Sequence, residues 1–468
     1  MIQETFETLA TSANGKLLRG GKELVVKGHF TDTRSPVPGG LYVALRGERF
    51  DGNLFAREAV ERFGASAVLV DRETALEGIP EYAGAILVDD ARAAYLNLAA
   101  AHRTKLSTCL WLGVTGSVGK STTKDMLSHI LCAALPSHKI HKAPGSFNNE
   151  IGLSKTILET PPDAGASVLE LGTNHPGEIE ALTLTARPNI AVITCAAESH
   201  LEAFGTVENV AKEKAAILKF QTQSDTAILN ADDTHFEFWK GLSKARVMSF
   251  GLSPAADVRA TNVQIDDMGL PRFCVEFAGS FAHCSLRVPG LHQVSNALAA
   301  IGAALAAGVS LEEAAVFVGT FEGTARRFSV HRAGGVTLID DAYNANPASF
   351  KAALKTLQTL QANRRFVIAG GMLELGEQSE QQHQELGASI AQLDLNNLTV
   401  VGQLACKIGV SAIKNGHDAF ALNEFETPEE AAFVLGRMLR PGDAVLIKGS
   451  HGIQLERSVD ALLKILRA

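Results

Sequence analysis

A short stretch between an apolar run and an amphipathic segment has the residue types that bind phosphate groups. It reads Trp111-Leu112-Gly113-Val114-Thr115-Gly116-Ser117-Val118-Gly119-Lys120-Ser121. Glycines let backbone N–H groups turn inward around an anion, and the start of the following helix adds partial positive charge. Lys120 would reach the outer phosphates, and the hydroxyl of Ser121 would coordinate Mg²⁺. The stretch predicts a nucleoside triphosphate site; the alternative is a glycine-rich turn without a ligand.

The spacing of these glycines differs from the usual phosphate-binding loop. That loop has about four residues between its glycines, whereas five residues separate Gly113 from Gly119. The apolar residues 109–112 predict a strand before the loop, and Met126, Leu127 and Ile130 share one face of a helix after it. Because strand, loop and helix follow in this order, we predict a variant of the phosphate loop.

Two candidate residues follow other predicted strands. Glu170 lies near the end of the apolar strand 167–171, and His200 comes soon after the strand 189–194. The carboxyl ends of parallel strands meet at one edge of a sheet, where ligands bind. A carboxylate there suits Mg²⁺, which takes few protein oxygens and several waters; the alternative for Glu170 is a solvent-facing or helix-capping acid. His200 is a candidate because of its position at this edge.

Two predicted helices also contain polar residues of interest. Lys214 lies in the helix 207–220, whose charged composition predicts a solvated face with salt bridges. His292 and Asn296 are four residues apart at the start of another helix and so share a face. They could bind a base edge or a substrate, or simply begin the helix.

The second strongest stretch is 339–347. It reads Ile339-Asp340-Asp341-Ala342-Tyr343-Asn344-Ala345-Asn346-Pro347, so acids and asparagines follow an apolar strand. Such loops bind ribose hydroxyls or amide-bearing substrates, although the same residue types also cap turns. Polar loops at 370–377 and 448–452 follow two further predicted strands. These loops predict a cleft between two α/β domains.

These residues require a scaffold of several domains. A chain of 468 residues exceeds one ordinary core, and we predict three domains, 1–90, 91–320 and 321–468. The predicted fold class is α/β throughout. The first domain is small, and the third is a Rossmann-like unit with four strands. The second carries the phosphate loop on a parallel sheet with helices on both faces and an antiparallel extension over about 247–288.

The bulk composition argues against several function classes. The net charge is −8 without a basic run, so no nucleic-acid partner is expected. Six scattered cysteines indicate a reducing compartment, not a disulfide framework or a zinc site. The first residues lack secretion-signal features, and no apolar window is long enough for membrane insertion. We therefore expect a cytoplasmic protein.

Taken together, the motifs resemble those of the Mur ligases, ATP-dependent amide-bond-forming enzymes of peptidoglycan synthesis. The loop 113–121 is similar to that family's G-x-T-G-x-x-G-K-[ST], which accounts for the additional residue. The other similar segments cover nearly the whole chain: T-D-T-R at 31–34, N-N-E-I-G at 148–152, E-L-G-T-N-H at 170–175, D-D-A-Y-N-A-N-P at 340–347, M-L-E-L-G at 372–376 and K-G-S at 448–450. The segment at 340–347 resembles most specifically the branch that adds a dipeptide.

The resemblance implies a catalytic set with two metal ions. Its members are Lys120, Glu170, His200 and Lys214. Ser121 and Glu170 would coordinate one Mg²⁺. His200 would hold a second, together with Lys214 as a carbamoylated lysine, which contradicts the solvated helix face expected from composition.

The resemblance also implies the contacts of the substrates. The loop 113–121 would bind the ATP phosphates, Asn296 and Asp341 would contact adenine and ribose, and Arg327, not its neighbour Arg326, would contact phosphate. The remaining implied substrate residues are Asn148 and Asn149 toward the muropeptide, Asn344 and Asn346 toward the dipeptide, Asp32, Thr33 and Arg34 in a uridine-binding domain, and Asn174, for which no particular substrate is implied.

The activity implied by the resemblance is the joining of D-alanyl-D-alanine to UDP-N-acetylmuramoyl-tripeptide through an acyl phosphate, by a monomer that uses ATP and Mg²⁺. The first domain would bind the UDP-muropeptide, the second would bind ATP, and the third would contact both ATP and the dipeptide. One alternative is another Mur-type or a folylpolyglutamate-type ligase. The other is a nucleotide-gated binding protein that makes no bond. The chain departs from the family pattern at Gly371, where aspartate is usual, and at His451, where arginine is frequent.

Overall fold

The computed structural model describes residues 3–47 and 50–467. Its strands form three large sheets, of five, nine and six strands, and a separate two-stranded ribbon. Most neighbouring strands of the large sheets run parallel, and helices alternate with them along the chain. The α/β fold class is therefore confirmed. No helix in the described part of the chain is both long and apolar enough to cross a bilayer.

The N-terminal part contains the five-stranded sheet and the ribbon. Its elements are β1 (Gln3–Thr5), α1 (Phe6–Ser12), β2 (Lys16–Arg19), β3 (Val25–Lys27), β4 (His29–Phe30), β5 (Leu41–Val43), α2 (Ala56–Glu61), β6 (Ala67–Val70), β7 (Gly84–Leu87) and α3 (Ala91–Lys105). The sheet order is β2-β7-β6-β5-β4, with β2 antiparallel to its neighbour, and β1 pairs with β3 in the ribbon.

Helix α3 joins this part to the next. It begins after Asp90, whose carboxylate accepts two backbone N–H groups of the first turn. Tyr95 of α3 is buried in one apolar cluster with Phe6 and Leu69 of the N-terminal part and Leu169 of the central sheet. The N-terminal part and the central sheet therefore share a core.

The central part contains the nine-stranded sheet, in the order β9-β10-β8-β11-β12-β13-β14-β15-β16. Its elements are β8 (Leu110–Thr115), α4 (Lys120–Ala134), β9 (Lys139–Lys142), α5 (Glu150–Glu159), β10 (Ala164–Glu170), α6 (Glu178–Ala186), β11 (Ile190–Ile193), α7 (Leu201–Phe204), α8 (Val207–Ala215), β12 (Thr226–Asn230), α9 (Phe236–Leu242), β13 (Arg246–Gly251), β14 (Val258–Ile265), β15 (Pro271–Phe277), β16 (Ser280–Ser285), α10 (His292–Ala306) and α11 (Leu311–Val318). Antiparallel pairing is confined to β14, β15 and β16, whereas β13 is parallel to both neighbours. The predicted antiparallel extension is therefore present but begins later than expected.

Helices cover both faces of the central sheet, as predicted. Successive strand residues point to opposite faces. Val168 packs in a cluster with Met126 of α4 and Leu298 of α10, whereas Leu169 packs in the other cluster with Ile157 of α5. The unbroken apolar strands of this sheet are explained by burial on both sides.

The C-terminal part contains the six-stranded sheet, in the order β17-β18-β22-β19-β20-β21. Its elements are β17 (Ser329–Ala333), β18 (Val336–Asp341), α12 (Pro347–Thr359), β19 (Arg365–Gly370), α13 (Ser379–Ala391), β20 (Asn397–Val401), α14 (Gln403–Lys414), β21 (Leu422–Phe425), α15 (Pro428–Met438), β22 (Ala444–Lys448) and α16 (Glu456–Arg467). The four predicted strands are present, and two edge strands, β17 and β21, add to them. The buried residues of its two apolar clusters all lie between 328 and 462, so this part has a core of its own.

Candidate active site

An open cleft lies between the central and C-terminal sheets. Loops that follow parallel strands of both sheets form its walls, which is the usual ligand position in α/β folds. The predicted site residues that line it are Ser117, Val118, Gly119, Lys120, Asn148, Asn174, His200, Asn296, Arg327, Asp341, Asn344 and Asn346. Two separate stretches of sequence, the phosphate loop and 339–347, therefore meet at one cleft.

Other predicted residues do not line this cleft. Seven of them are buried: Gly113, Val114, Thr115, Gly116, Ser121, Glu170 and Lys214. The first three belong to strand β8 and support the loop from within the sheet. Four more are at least partly exposed elsewhere: Asn149, Asp32, Thr33 and Arg34.

The phosphate loop has glycine where the backbone requires it. The angle φ is 84° at Gly119, which is the N-cap of α4. A Cβ atom on Gly119 would lie 2.2 Å from Oδ1 of Asn296. Glycine is thus needed both for the left-handed conformation and for the close approach of Asn296. The N-terminus of α4, with its unpaired N–H groups, is held at the cleft wall.

Lys120 folds back onto its own loop. Its Nζ donates to the carbonyl oxygens of Gly116 at 2.7 Å and Ser117 at 3.3 Å. Burial lowers the pKa of Lys120; Glu170 opposes this effect and Arg327 adds to it. A partly buried cation held by neutral carbonyls lacks a close counter-charge, which a phosphate anion would supply.

Glu170 and Ser121 form a buried pair behind the loop. Both side chains are fully buried, which excludes a solvent-facing role for Glu170. Its Oε2 accepts from Ser121 Oγ at 2.7 Å, and its Oε1 accepts from Asn148 Nδ2 at 3.0 Å. A carboxylate and a hydroxyl oxygen are thus adjacent at the start of α4.

His200 lies at the cleft wall and meets the C-terminal part. Its backbone has a left-handed conformation, with φ 51°. Its Nδ1 is 2.6 Å from Oε2 of Glu374, although the contact is not aligned as a hydrogen bond at Nδ1. The His200 contact holds the pKa of Glu374 below its ordinary value. The M-L-E-L-G segment therefore reaches the central part at His200.

Lys214 is buried, so the solvated helix face predicted from composition is wrong at this position. Only 1% of its surface is exposed, whereas Lys212 of the same helix is exposed. Burial is the main cause that lowers the pKa of Lys214 to about 7, and Lys120 lowers it further. The adjacent Glu213 accepts backbone N–H groups at the start of α6. The ionisable groups near Lys214 include Lys120, Cys195 and Glu178 from three other segments, so tertiary packing, which composition does not reveal, buries this residue.

Two polar side chains that line the cleft, those of Asn296 and Asp341, are fixed by neighbours. Asn296 Nδ2 donates to Gln293 Oε1 at 2.9 Å. Asp341 Oδ2 accepts from Lys448 Nζ at 2.6 Å, and its Oδ1 accepts from the backbone N–H of Phe328 at 3.1 Å. Both side chains are therefore held at the cleft wall.

Arg327 crosses from the C-terminal part to the central part. Its Nη2 donates to Ser146 Oγ at 2.8 Å, and its guanidinium lies 4.1 Å over the ring of Tyr343. The neighbouring Arg326 turns away and pairs with Asp340 at 3.1 Å. Of the two arginines, the structure places Arg327 at the cleft.

Several predicted substrate residues also have local structural tasks. Asn149 caps α5 and Asn346 caps α12, each by accepting a backbone N–H. The capping alternative therefore accounts for the Oδ1 atom of Asn346, even though this residue also lines the cleft. The backbone N–H of Asn174 donates to Glu178 Oε2 at 2.6 Å.

His451 is one of the two positions that depart from the family pattern. It lines the cleft and stacks on Tyr343, with ring centroids 5.5 Å apart.

Sequence reasoning missed three residues of this site as individual candidates: Lys124, Ser146 and Lys448. Lys448 ends an apolar strand just as Glu170 does, and this signal was available. Lys124 and Ser146 carry no local signal, because their contacts depend on the packing of separate segments.

Comparisons with known proteins agree on one family. Models of the Mur ligase middle domain and of the Mur ligase glutamate ligase domain match residues 114–304 and 326–451. Curated proteins of Bacillus subtilis and Escherichia coli, each named UDP-N-acetylmuramoyl-tripeptide–D-alanyl-D-alanine ligase, are each 32% identical and cover 99% of both chains.

Solved structures agree with these relatives. A crystal structure of MurF from Acinetobacter baumannii has a TM-score of 0.89 at 29% identity and covers 99% of each chain. MurF ligase from Thermotoga maritima in complex with ADP has a TM-score of 0.81 at 27% identity, covering 95% of this chain and 99% of the other. The chain therefore belongs to the Mur ligase family and, within it, to the MurF group.

Proposed function

We propose that this chain joins D-alanyl-D-alanine to UDP-N-acetylmuramoyl-tripeptide and couples this to the cleavage of ATP into ADP and phosphate. The observation that carries the proposal is that the phosphate loop and the 341–346 segment face one cleft between two sheets. The names of the curated relatives support the two organic substrates. The ADP complex of the Thermotoga maritima enzyme supports the use of ATP.

The chemistry follows from the low reactivity of a carboxylate. The terminal carboxylate oxygen of the tripeptide attacks the γ-phosphorus of ATP, giving an acyl phosphate and ADP. The amine of the dipeptide then attacks the acyl carbon, loses a proton, and expels phosphate. Such a reaction needs mainly positioning and charge neutralisation. Lys120 and Arg327 bring two positive charges to the phosphate end of the cleft.

The buried oxygens of Ser121 and Glu170 fit Mg²⁺. They lie 2.7 Å apart, and Mg²⁺ prefers oxygen ligands and keeps several waters. These two residues would hold one ion, which when bound neutralises phosphate charge. His200 and Lys214 would hold the second. A pKa of about 7 leaves a large share of Lys214 as the neutral amine, the form that adds CO₂ and loses a proton to become a carbamate.

The architecture completes the proposal. We assign binding of the UDP-muropeptide to residues 1–90 and binding of ATP to residues 91–320. Residues 321–468 would contact ATP and the dipeptide from the other side of the cleft. Asp32, Thr33 and Arg34 would contact the uridine end of the muropeptide, and Asn148 and Asn149 its peptide end. The enzyme would act in the cytoplasm as a monomer.

Phosphate release tests the function directly. The purified chain is assayed with ATP and Mg²⁺ alone, with each organic substrate singly, and with both. A ligase releases phosphate at a high rate only with both substrates and forms the pentapeptide product. Equal release with ATP alone would contradict the proposal, and product formation from a single amino acid in place of the dipeptide would favour another ligase of the family.

A further inference from the structure

Helix α4 contains a second lysine, Lys124, one turn after Lys120. Its side chain is completely buried. Its Nζ donates to the carbonyl oxygen of Ala143 at 2.9 Å and also to that of Gly145. It lies 3.7 Å from Oε2 of Glu170 and 3.5 Å from Oδ1 of Asp125. Burial of an ammonium is costly unless it is paired and hydrogen-bonded, and here both conditions are met.

The first consequence concerns Glu170. Its Oε2 faces Ser121 Oγ at 2.7 Å and Lys124 Nζ at 3.7 Å, while its Oε1 faces Asn148. Both carboxylate oxygens thus have partners, and the carboxylate plane is fixed without any ligand. The cation also compensates a carboxylate that is fully buried.

The second consequence concerns the turn 143–146. Lys124 binds two carbonyl oxygens of this turn, those of Ala143 and Gly145. The next residue, Ser146, contacts Ser121 Oγ at 3.3 Å and accepts from Arg327 at 2.8 Å. A single ammonium therefore connects the carboxylate behind the phosphate loop with the acceptor for the arginine of the C-terminal part.

We propose that Lys124 is a positioning residue, which holds the Glu170 carboxylate and the 143–146 turn in the arrangement that Ser121 and Arg327 require. It does not face the cleft and would act only through these groups. The inference rests on the proposed ligase function, because it assigns Lys124 a part in the same reaction.

The test compares Lys124→Met, Lys124→Arg and the control Lys142→Met. Lys142 contacts the same Asp125 oxygen at 3.0 Å, but its side chain is half exposed, and within the described residues it forms no salt bridge with Glu170. The control therefore removes one positive charge near Asp125 and leaves the contacts of Glu170 unchanged. For each variant, kcat, KM for ATP, KM for the muropeptide, the Mg²⁺ dependence of activity and the binding of ADP with and without Mg²⁺ are measured.

Lys124→Met is expected to lower kcat by about 10- to 100-fold, because small displacements of reacting groups have effects of this size. The Mg²⁺-dependent gain in ADP affinity should shrink, while KM for the muropeptide stays within about twofold. Lys124→Arg should recover part of kcat, and Lys142→Met should resemble the parent. If Lys124→Met folds and keeps both kcat and the Mg²⁺ effect on ADP binding, the inference is wrong.

Folding itself provides a second measurement. If Lys124→Met does not fold, the double variant Lys124→Met with Glu170→Gln removes the uncompensated carboxylate. Recovery of the thermal transition would support a Lys124–Glu170 partnership, whereas no recovery would make Lys124 a packing residue only and overturn the inference. An assay of the unaltered chain distinguishes failure of the proposed function from failure of the inference about Lys124. If the unaltered chain lacks ligase activity, the proposed function fails. If it is active, only the role of Lys124 is in question.

Discussion

Two glycines of the central part offer a matched pair for measuring what the phosphate loop contributes. Gly119 is the N-cap of α4 and Gly177 is the N-cap of α6, and both have a left-handed backbone, with φ 84° and 90°. A Cβ atom on Gly177 would meet no atom within 4 Å, whereas one on Gly119 would lie 2.2 Å from Oδ1 of Asn296. The substitutions Gly119→Ala and Gly177→Ala therefore differ mainly in the displacement of Asn296.

The expected magnitudes follow from this difference. Each alanine costs about 1–2 kcal/mol for a non-glycine residue in the left-handed region. Gly119→Ala costs a further ~1–3 kcal/mol, because Asn296 must leave its place beside Gln293. If the displacement of Asn296 weakens nucleotide binding by the same ~1–3 kcal/mol, KM for ATP rises by about 5- to 150-fold. Gly177→Ala should change KM for ATP by less than about twofold.

The assay has two parts. Thermal unfolding without nucleotide should show a small decrease in melting temperature for Gly177→Ala and a larger decrease for Gly119→Ala. Steady-state kinetics with varied ATP should then show the rise in KM only for Gly119→Ala, with a matching loss of ADP affinity by calorimetry. If the two variants shift KM for ATP equally, Asn296 does not take part in nucleotide binding and the reasoning is refuted.

Three further predictions concern metal, charge and pH. Ser121→Ala removes the hydroxyl beside Glu170 and should raise the Mg²⁺ concentration for half-maximal activity about tenfold; an unchanged Mg²⁺ titration would contradict that ligand assignment. Arg327→Lys loses the planar guanidinium that reaches Ser146 and should lower kcat about 10- to 100-fold with little change in KM for the muropeptide; a normal kcat would argue against its phosphate role. Burial lowers the pKa of His29 from 6.5 to about 3, and neither ring nitrogen has a hydrogen-bond partner within the described residues. Below pH 6.5 the unfolded chain binds this proton and the folded chain does not, so the stability falls between pH 6.5 and about 3. His29→Phe should reduce this acid sensitivity, measured as the melting temperature against pH, and an identical pH dependence would refute the assignment.

The sequence predicted those parts of the site whose signal is local. The loop before α4 was identified because an apolar run, glycines and an amphipathic helix follow one another within about twenty residues. The four central strands of the C-terminal sheet were identified because they are apolar on both faces. Edge strand β9, which reads K-I-H-K, was missed because an edge strand with polar residues lacks this pattern.

The features that were not predicted depend on contacts between distant segments. Lys214 lies in a helix of charged residues, and its burial depends on neighbours in other segments, among them Lys120 and Cys195. The link from Lys124 through Ser146 to Arg327 joins three segments of the chain and has no periodic signature. Asn346 could be foreseen both as a helix cap and as a cleft residue, and the structure shows both. Residue type and spacing thus identify candidates, whereas tertiary packing decides their surroundings.

The distribution of apolar cores has a mechanical consequence. Separating the N-terminal part from the central sheet would expose apolar side chains to water, since the two share one cluster that contains Phe6, Tyr95 and Leu169. At the other boundary, contacts such as Arg327 to Ser146 and His200 to Glu374 join groups that water can solvate equally well. The three sheets are therefore joined in two ways: the first boundary contains a shared apolar core, and the second contains polar contacts such as these. Opening of the cleft at the second boundary would break polar contacts of this kind, whereas separation at the first boundary would expose apolar core residues.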